Sequence, residues 1–263
     1  MNFPEKLFNS IQSHGVCLPS PKQVHEFIDD ILTYLFPLYG NKCKDLSIKY
    51  LNDEWKRLQS LFVNLLTSFK QESPDELSHR FFTAIPIIHE QLLEEADNFV
   101  QCDPAAECVE EVILCYPGYY AIAIYRLANE LYRMKIPVLP RVISEYAHSK
   151  TGIDIHPGAT IGKNFYIDHG TGIVIGETTK IGDHVKIYQG VTLGATYVAR
   201  SMQNIKRHPT IEDHVIIYAG STILGGNTVV GHNTVVGGNV WLTESVAPNS
   251  KIYHKADVFI KNN

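Results

Sequence analysis

The sequence predicts an α+β fold: an N-terminal α-helical domain over residues 1–148, then a C-terminal left-handed parallel β-helix built of hexapeptide repeats over 149–250, and a tail over 251–263. Two observations carry this. Fifteen of the eighteen glycines lie after residue 150, so the two halves obey different rules. In the second half a branched aliphatic residue also returns every six positions, with no helical period. A repeat of about six residues is one short strand plus one turn, and three such units make one coil of a triangular prism.

The first half reads as helices. From Pro74 the apolar positions Leu77, Phe81, Ile85, Ile88, Leu92, Ala96 and Phe99 step by three or four. That spacing makes one buried helical stripe, with Glu94, Glu95 and Asp97 on the wet side. Ser73-Pro74-Asp75-Glu76 supplies a cap, a first-turn proline and acids at the positive helix end. Pro86 falls inside the stripe and predicts a kink or a split into two helices. Val24–Leu38 and Lys49–Phe69 are further helical segments. Tyr119–Met134 is another, ended by Ile136-Pro137.

The prism follows. The aliphatic position runs Ile155, Ile161, Ile167, Ile173, shifts by two residues, and resumes at Ile175, Ile181, Ile187 and Leu193. It returns at Ile211, Ile217 and Ile223, slips one residue through Gly225-Gly226, and continues at Val230, Val236 and Leu242. These side chains are expected to point inward and stack on equivalents about 18 residues away, with small residues at the corners. Leu193 to Ile211 spans three hexads, so the register can run straight through. Its corner positions, however, hold Arg200 and Lys206, and TYVARSMQNIKRHP has no hexad pattern. A loop protruding over about 195–210 is therefore expected, and long loops on rigid scaffolds often carry function.

Composition narrows the function. Hydrophobic residues make up 44% and charged residues 19%, an ordinary globular balance. The net charge of −5 gives no drive toward nucleic acid or an anionic membrane. The apolar stretch Tyr119–Tyr125 is too short to span a bilayer, and MNFPEKLFNS has no apolar leader pattern. The five cysteines, Cys17, Cys43, Cys102, Cys108 and Cys115, form no CxxC pair. A reducing, cytoplasmic setting is expected, with Cys102, Cys108 and Cys115 as packing thiols.

Polar residues interrupt the repeat in two places: from Asp154 and His156 to Asp168, His169 and Glu177, and at Arg207-His208-Pro209. Asp154 and His169 are fifteen residues apart, nearly one coil, which places them on neighbouring rungs or across a subunit boundary. An imidazole beside a carboxylate is fixed in tautomer and suits a general base. The competing reading is that both residues occupy solvated corners. Spacing alone leaves the two open.

Four strings decide between them: DIHPGATIG (Asp154–Gly162), IDHGTGIVIGET (Ile167–Thr178), QGVTLG (Gln189–Gly194) and RHP (Arg207–Pro209). Residues from about 75 to 250 resemble the serine O-acetyltransferase family. Asp103-Pro104-Ala105, Gly118-Tyr119-Tyr120-Ala121 and Tyr125-Arg126 resemble its helical lead-in. The resemblance implies direct acetyl transfer from acetyl-CoA to the L-serine hydroxyl, in cysteine biosynthesis, with no acyl-enzyme. It implies His169 as base, oriented by Asp154, and no metal. Asp103 and Asp168 would hold the serine ammonium, Arg207 its carboxylate, with His208 beside them and Glu177 also in the site. Backbone N–H groups near Gly194-Ala195 are our choice for the oxyanion.

Acetyl-CoA is expected in a groove between adjacent prisms, near Gly194, Ala195, Ala219 and Gly238, although corners require small residues in any case. The resemblance further implies a homotrimer, or a hexamer formed as a dimer of trimers, with sites drawn from two chains. Three departures qualify it. The 194–207 stretch differs, Pro117 and Tyr120 alter the lead-in, and SKIYHKADVFIKNN replaces the usual C-terminal segment and its terminal isoleucine. A complex with cysteine synthase is left open for that reason, as is feedback inhibition by cysteine.

Rival readings remain testable. Another hexapeptide-repeat acyltransferase, acting on a sugar or other small acceptor, would share the base but has no need of Asp103 and Arg207. A carbonic anhydrase on a similar prism needs three converging imidazoles, and eight histidines lie beyond residue 147. A purely assembling trimer has no use for the Asp154, Asp168, His169, Arg207, His208 set.

Overall fold

The computed structural model describes residues 2–14, 18–38, 46–69, 73–197 and 205–255. Seven helices precede fourteen short strands among these residues. The last helical residue is Thr151 and the first strand opens at Asp154, while the chain divides into compact units at Thr83/Ala84.

In the first unit, α1 (Phe3–His14), α2 (Pro21–Leu35) and α3 (Ile48–Leu66) lead to the start of α4 (Pro74–Cys102). Ser20 and Gln23 form a reciprocal capping box on α2, and Ser47 caps α3. The aromatic core stacks Phe27 on Phe62 at 5.2 Å, with Phe81 4.8 Å from Phe62. Helix α4 is one continuous helix across Pro86, rather than two. The buried positions Phe81, Phe82, Ile85, Ile88 and Leu92 continue on both sides of the proline, and their burial outweighs the lost hydrogen bond.

In the second unit, α5 (Val109–Cys115), α6 (Pro117–Arg133) and α7 (Leu139–Thr151) precede the prism. One residue of the expected wet side is buried. Glu94 and Asp97 are exposed, but Glu95 is 0% exposed and pairs with Arg126 of α6. Arg126 also donates to the carbonyl oxygens of Ile161, at 2.7 Å, and Gly162, at 2.6 Å. One guanidinium thus fastens α4 and α6 to the first coil, which explains a buried charge on a face that otherwise reads as solvated. Burial pushes the Glu95 carboxyl up, and Arg126 opposes that rise. Gly118 sets the other contact. A Cβ there would stand 3.0 Å from Cβ of Ile167 and closer still to its carbonyl oxygen, so α6 rests directly on the prism.

The prism is a left-handed parallel β-helix of about five turns. Its first sheet stacks β1 (Asp154–Ile155), β4 (Val174–Ile175), β7 (Thr192–Gly194), β10 (Thr222–Leu224) and β13 (Trp241–Leu242). The second stacks β2 (Thr160–Ile161), β5 (Lys180–Ile181), β8 (Thr210–Ile211) and β11 (Val229–Val230). The third stacks β3 (Tyr166–Asp168), β6 (Lys186–Tyr188), β9 (Ile216–Ile217), β12 (Val235–Val236) and β14 (Lys251–Ile252). Every neighbouring pair is parallel, and the repeat aliphatics align in register, as in Ile155↔Ile175↔Leu193↔Ile223↔Leu242. From Ile155 to Val236 all of them are buried.

The coils are unequal. Ile155 pairs twenty residues on, with Ile175, because two extra residues enlarge the corner after Asp168. Ile175 pairs eighteen residues on, with Leu193, and Leu193 pairs thirty residues on, with Ile223. The twelve added residues all fall between β7 and β8, so the register does not run straight through. Residues 198–204 of that stretch, Arg200 included, lie outside the described residues, as do Cys17, Cys43 and 256–263 of the tail. Cys108 and Cys115 are exposed rather than packed, while Cys102 is half-buried and donates to Oδ1 of Asn98. No helix among the described residues is long and apolar enough to cross a membrane.

Candidate active site

The enlarged corner between β3 and β4 carries the first cluster. His169 (φ 54°), Gly170 (φ 88°) and Gly172 (φ 80°) all take positive φ, which turns the chain outward and leaves the His169 side chain 73% exposed. Gly170 is required there. A Cβ would press 2.9 Å from Cγ1 of Ile153 in the coil below. Asp168, the last residue of β3, places Oδ1 3.6 Å from Nε2 of His169.

Asp103 joins them from the end of α4. Its Oδ1 accepts the Ala105 N–H at 2.8 Å and its Oδ2 accepts the Tyr116 hydroxyl at 2.7 Å. The Ala105 N–H first, then Tyr116, hold its carboxyl below the usual carboxylate range, with a smaller contribution from nearby His169. The same bond, with burial, pushes the Tyr116 phenol up to about 12, and Asp168 adds to that rise. Two carboxylates therefore flank one exposed imidazole, an environment suited to a small ammonium group.

Asp154 stands one rung away. The Gly172 N–H donates to the Gly152 carbonyl at 2.8 Å and the Asp154 N–H to the Ile173 carbonyl at 2.9 Å. Its strand thus underlies the His169 corner. Among the described residues Asp154 makes no ion pair with His169. It gathers instead with Glu145 and His148 of α7, whose ligand atoms and its own lie within 4.8 Å of one another. That group holds one imidazole, not the three of a carbonic-anhydrase-like centre.

The second cluster occupies the next prism edge, between β4 and β5. Glu177 Oε2 pairs with Arg207 Nη2, and Glu177 Oε1 accepts the Tyr132 hydroxyl at 2.9 Å. Burial works against the charge, but the bonds from Arg207 and Tyr132 hold the Glu177 carboxyl below its ordinary range. Nη1 of Arg207 is buried and lacks a hydrogen-bond partner among the described residues. The His208 ring lies flat over Gly176, and its Nδ1 accepts the Thr178 N–H at 3.1 Å. That bond places the ring proton on Nε2. Burial, then Arg207, depress His208 to about 4, so it is a neutral donor at physiological pH. Burial also lowers the half-buried His156, whose ring meets Tyr132 edge-on at 5.9 Å.

The small residues divide between the same two edges. Ala219 and Gly238 stack on consecutive coils of the His169 edge: the Asn239 N–H donates to the Ala219 carbonyl, and a Cβ on Gly238 would stand 3.3 Å from that oxygen. Gly194 and Ala195 lie on the Glu177 edge, where the Gly225 N–H donates to the Gly194 carbonyl. Lys206 donates to the carbonyl oxygens of His208 and Pro209, which ties down the end of the inserted loop. One chain thus brings together Asp103, Asp168 and His169 on one edge, and Glu177, Arg207 and His208 on the next.

A curated serine acetyltransferase of Synechococcus elongatus is 45% identical over 221 residues, covering 79% of this chain and 68% of its own. Serine acetyltransferase 1 of Entamoeba histolytica, solved in complex with L-cysteine, matches with a TM-score of 0.78 and 34% identity over 86% of each chain. The chain belongs to the serine acetyltransferase family. It is accordingly an acyltransferase. A further serine acetyltransferase, solved in complex with CoA, matches with a TM-score of 0.60 and 26% identity, over 86% of this chain and 95% of its own. No family model matches the chain.

Sequence reasoning missed several members of the site. Thr178 sits inside one of the family strings, and its N–H orients His208. Tyr116 and Tyr132 lie outside every string the family shares. Nothing in a helical stripe shows which prism corner a tyrosine will reach.

Proposed function

We propose that the chain transfers the acetyl group of acetyl-CoA to the hydroxyl of L-serine, giving O-acetyl-L-serine and CoA, at sites shared between prisms. The observation that carries this reading is the buried Nη1 of Arg207, which has no hydrogen-bond partner among the described residues. A buried guanidinium N–H without an acceptor is costly, and a carboxylate is its natural complement. Serine is a zwitterion, so it also needs anions, and Asp103 and Asp168 are available for its ammonium. The two clusters lie on different edges of one prism. Packing the His169 edge of one copy against the Glu177 edge of another, as in a homotrimer, completes a site with both signs of charge.

In that site the His169 ring takes the serine hydroxyl proton as the oxygen attacks the thioester carbonyl. Turning the exposed ring from Asp168 toward Asp154 orients it for this role. The resulting oxyanion is met by N–H groups near Gly194-Ala195 and by the neutral His208 Nε2–H. Collapse breaks the C–S bond, and the CoA thiolate recovers the proton from His169. The family's CoA-bound member supports acetyl-CoA as co-substrate, with Ala219 and Gly238 beside the His169 corner and Gly194 and Ala195 on the facing edge. The free thiols Cys102, Cys108 and Cys115 fit a cytoplasmic setting.

The test is complementation. His169→Asn and Arg207→Ala chains, each nearly inactive at serine far below KM, are co-expressed with different tags and purified through both. Thiol release that recovers in the mixed oligomer is the expected result. Mixed oligomers no more active than either parent would contradict a shared site.

A further inference from the structure

Tyr132 is used by no step above, yet it is built into the second cluster. Its ring is wedged against the prism: a Cβ on Gly158 would stand 2.9 Å from Tyr132 Cζ, and the His156 ring meets it edge-on. From this partly exposed position, 38% accessible, its hydroxyl donates to Glu177 Oε1 at 2.9 Å. The other oxygen of the same carboxylate holds Arg207 Nη2. Burial and this bond raise the Tyr132 phenol, which keeps it a donor at physiological pH. With its two oxygens held by different donors the carboxylate is restrained from rotating, and so is the guanidinium it grips. Nη1, which has no partner among the described residues, is then presented in one orientation.

We propose that Tyr132 is a positioning residue for the amino-acid substrate: through Glu177 it aims Arg207 Nη1 at the substrate carboxylate. The chain of contacts spans α6, the corner after β4 and the end of the inserted loop, forty-five and thirty residues apart in sequence. It extends the proposed function and rests on the carboxylate role of Arg207. Tyr132 reaches Arg207 only through Glu177, so its effect is expected on serine affinity.

The experiment compares steady-state kinetics of the full chain as Tyr132→Phe, Arg207→Ala, Glu177→Ala and the Tyr132→Phe/Glu177→Ala double variant. Losing this solvent-exposed hydrogen bond, worth no more than an ordinary neutral one, predicts a rise of about five- to tenfold in the serine KM of Tyr132→Phe. Its kcat and its KM for acetyl-CoA stay within about twofold, and its melting temperature is that of the parent. In the Glu177→Ala background the same substitution has no further effect, because the link is already cut. An equal rise in both backgrounds, or a fall in kcat at unchanged serine KM, overturns the proposal. Arg207→Ala separates the two levels. If it raises the serine KM while Tyr132→Phe does not, positioning alone fails. If Arg207→Ala leaves the serine KM unchanged, the carboxylate role fails and positioning falls with it.

Discussion

Gly176 lies under the His208 ring, and replacing it with alanine tests whether that ring must stay where it is. The added Cβ would stand 2.7 Å from His208 Cγ and closer to Cδ2 and Nε2. Carbon contacts are comfortable at about 3.5 Å, so the ring must withdraw by roughly 1 Å or more. It cannot do so freely. Nδ1 is held by the Thr178 N–H at 3.1 Å and faces the Thr178 hydroxyl at 2.8 Å, and a shift of that size stretches both past hydrogen-bonding range. Two such bonds at about 1 kcal/mol each, with about 1 kcal/mol of overpacking, give a destabilisation of about 3 kcal/mol. A displacement of about 1 Å in a positioned group can also lower kcat/KM about 100-fold. Thermal unfolding and thiol release from acetyl-CoA measure the two effects separately. In a His208→Ala background the clash has no object, so Gly176→Ala should cost almost nothing there. An equal loss of stability in both backgrounds would mean that the His208 ring is not what the added methyl meets.

Replacing His169 with asparagine, which tolerates its positive φ, should lower kcat by about 10²–10⁴-fold with an unchanged melting temperature, measured by thiol release and calorimetry. Near-normal turnover would end its assignment as base. The depressed pKa of His208 predicts a pH-dependent stability. The unfolded chain takes up a proton near 6.5, whereas the folded chain refuses it until about 4. Stability is therefore full above pH 6.5 and falls between 6.5 and 4, by at most about 3 kcal/mol. Denaturant midpoints for the parent and for His208→Gln across that window should show the slope flattening in the variant.

Much of the architecture was legible because one residue in six must point inward. The stacks from Ile155 to Val236 needed only that rule. The inserted loop was harder to read for a numerical reason. Twelve added residues equal two hexads, so Leu193 and Ile211 keep their phase although they belong to consecutive faces of one coil. Glu95 was misplaced because a helical stripe registers apolar faces and cannot register a buried ion pair whose partner lies thirty-one residues away. The spacing of Cys108 and Cys115 suggests packing thiols but carries no information about a short helix with only Val112 buried. At the candidate site, Asp168, His169, Glu177, Arg207 and His208 stand out through the family strings and Asp103 through the helical lead-in. Their division between two prism edges follows from coil geometry, and Tyr132 enters only through the packing of α6 on the first coil.

Free-thiol release from acetyl-CoA shows at once whether this chain acetylates serine. L-serine, homoserine, glucosamine, a galactoside and no acceptor are compared under one set of conditions. Thiol release with L-serine, and background rates with the sugars and with no acceptor, is the result the two charged clusters predict. Background release with serine alongside turnover of a sugar would contradict it, and would strip Asp103 and Arg207 of the roles proposed for them.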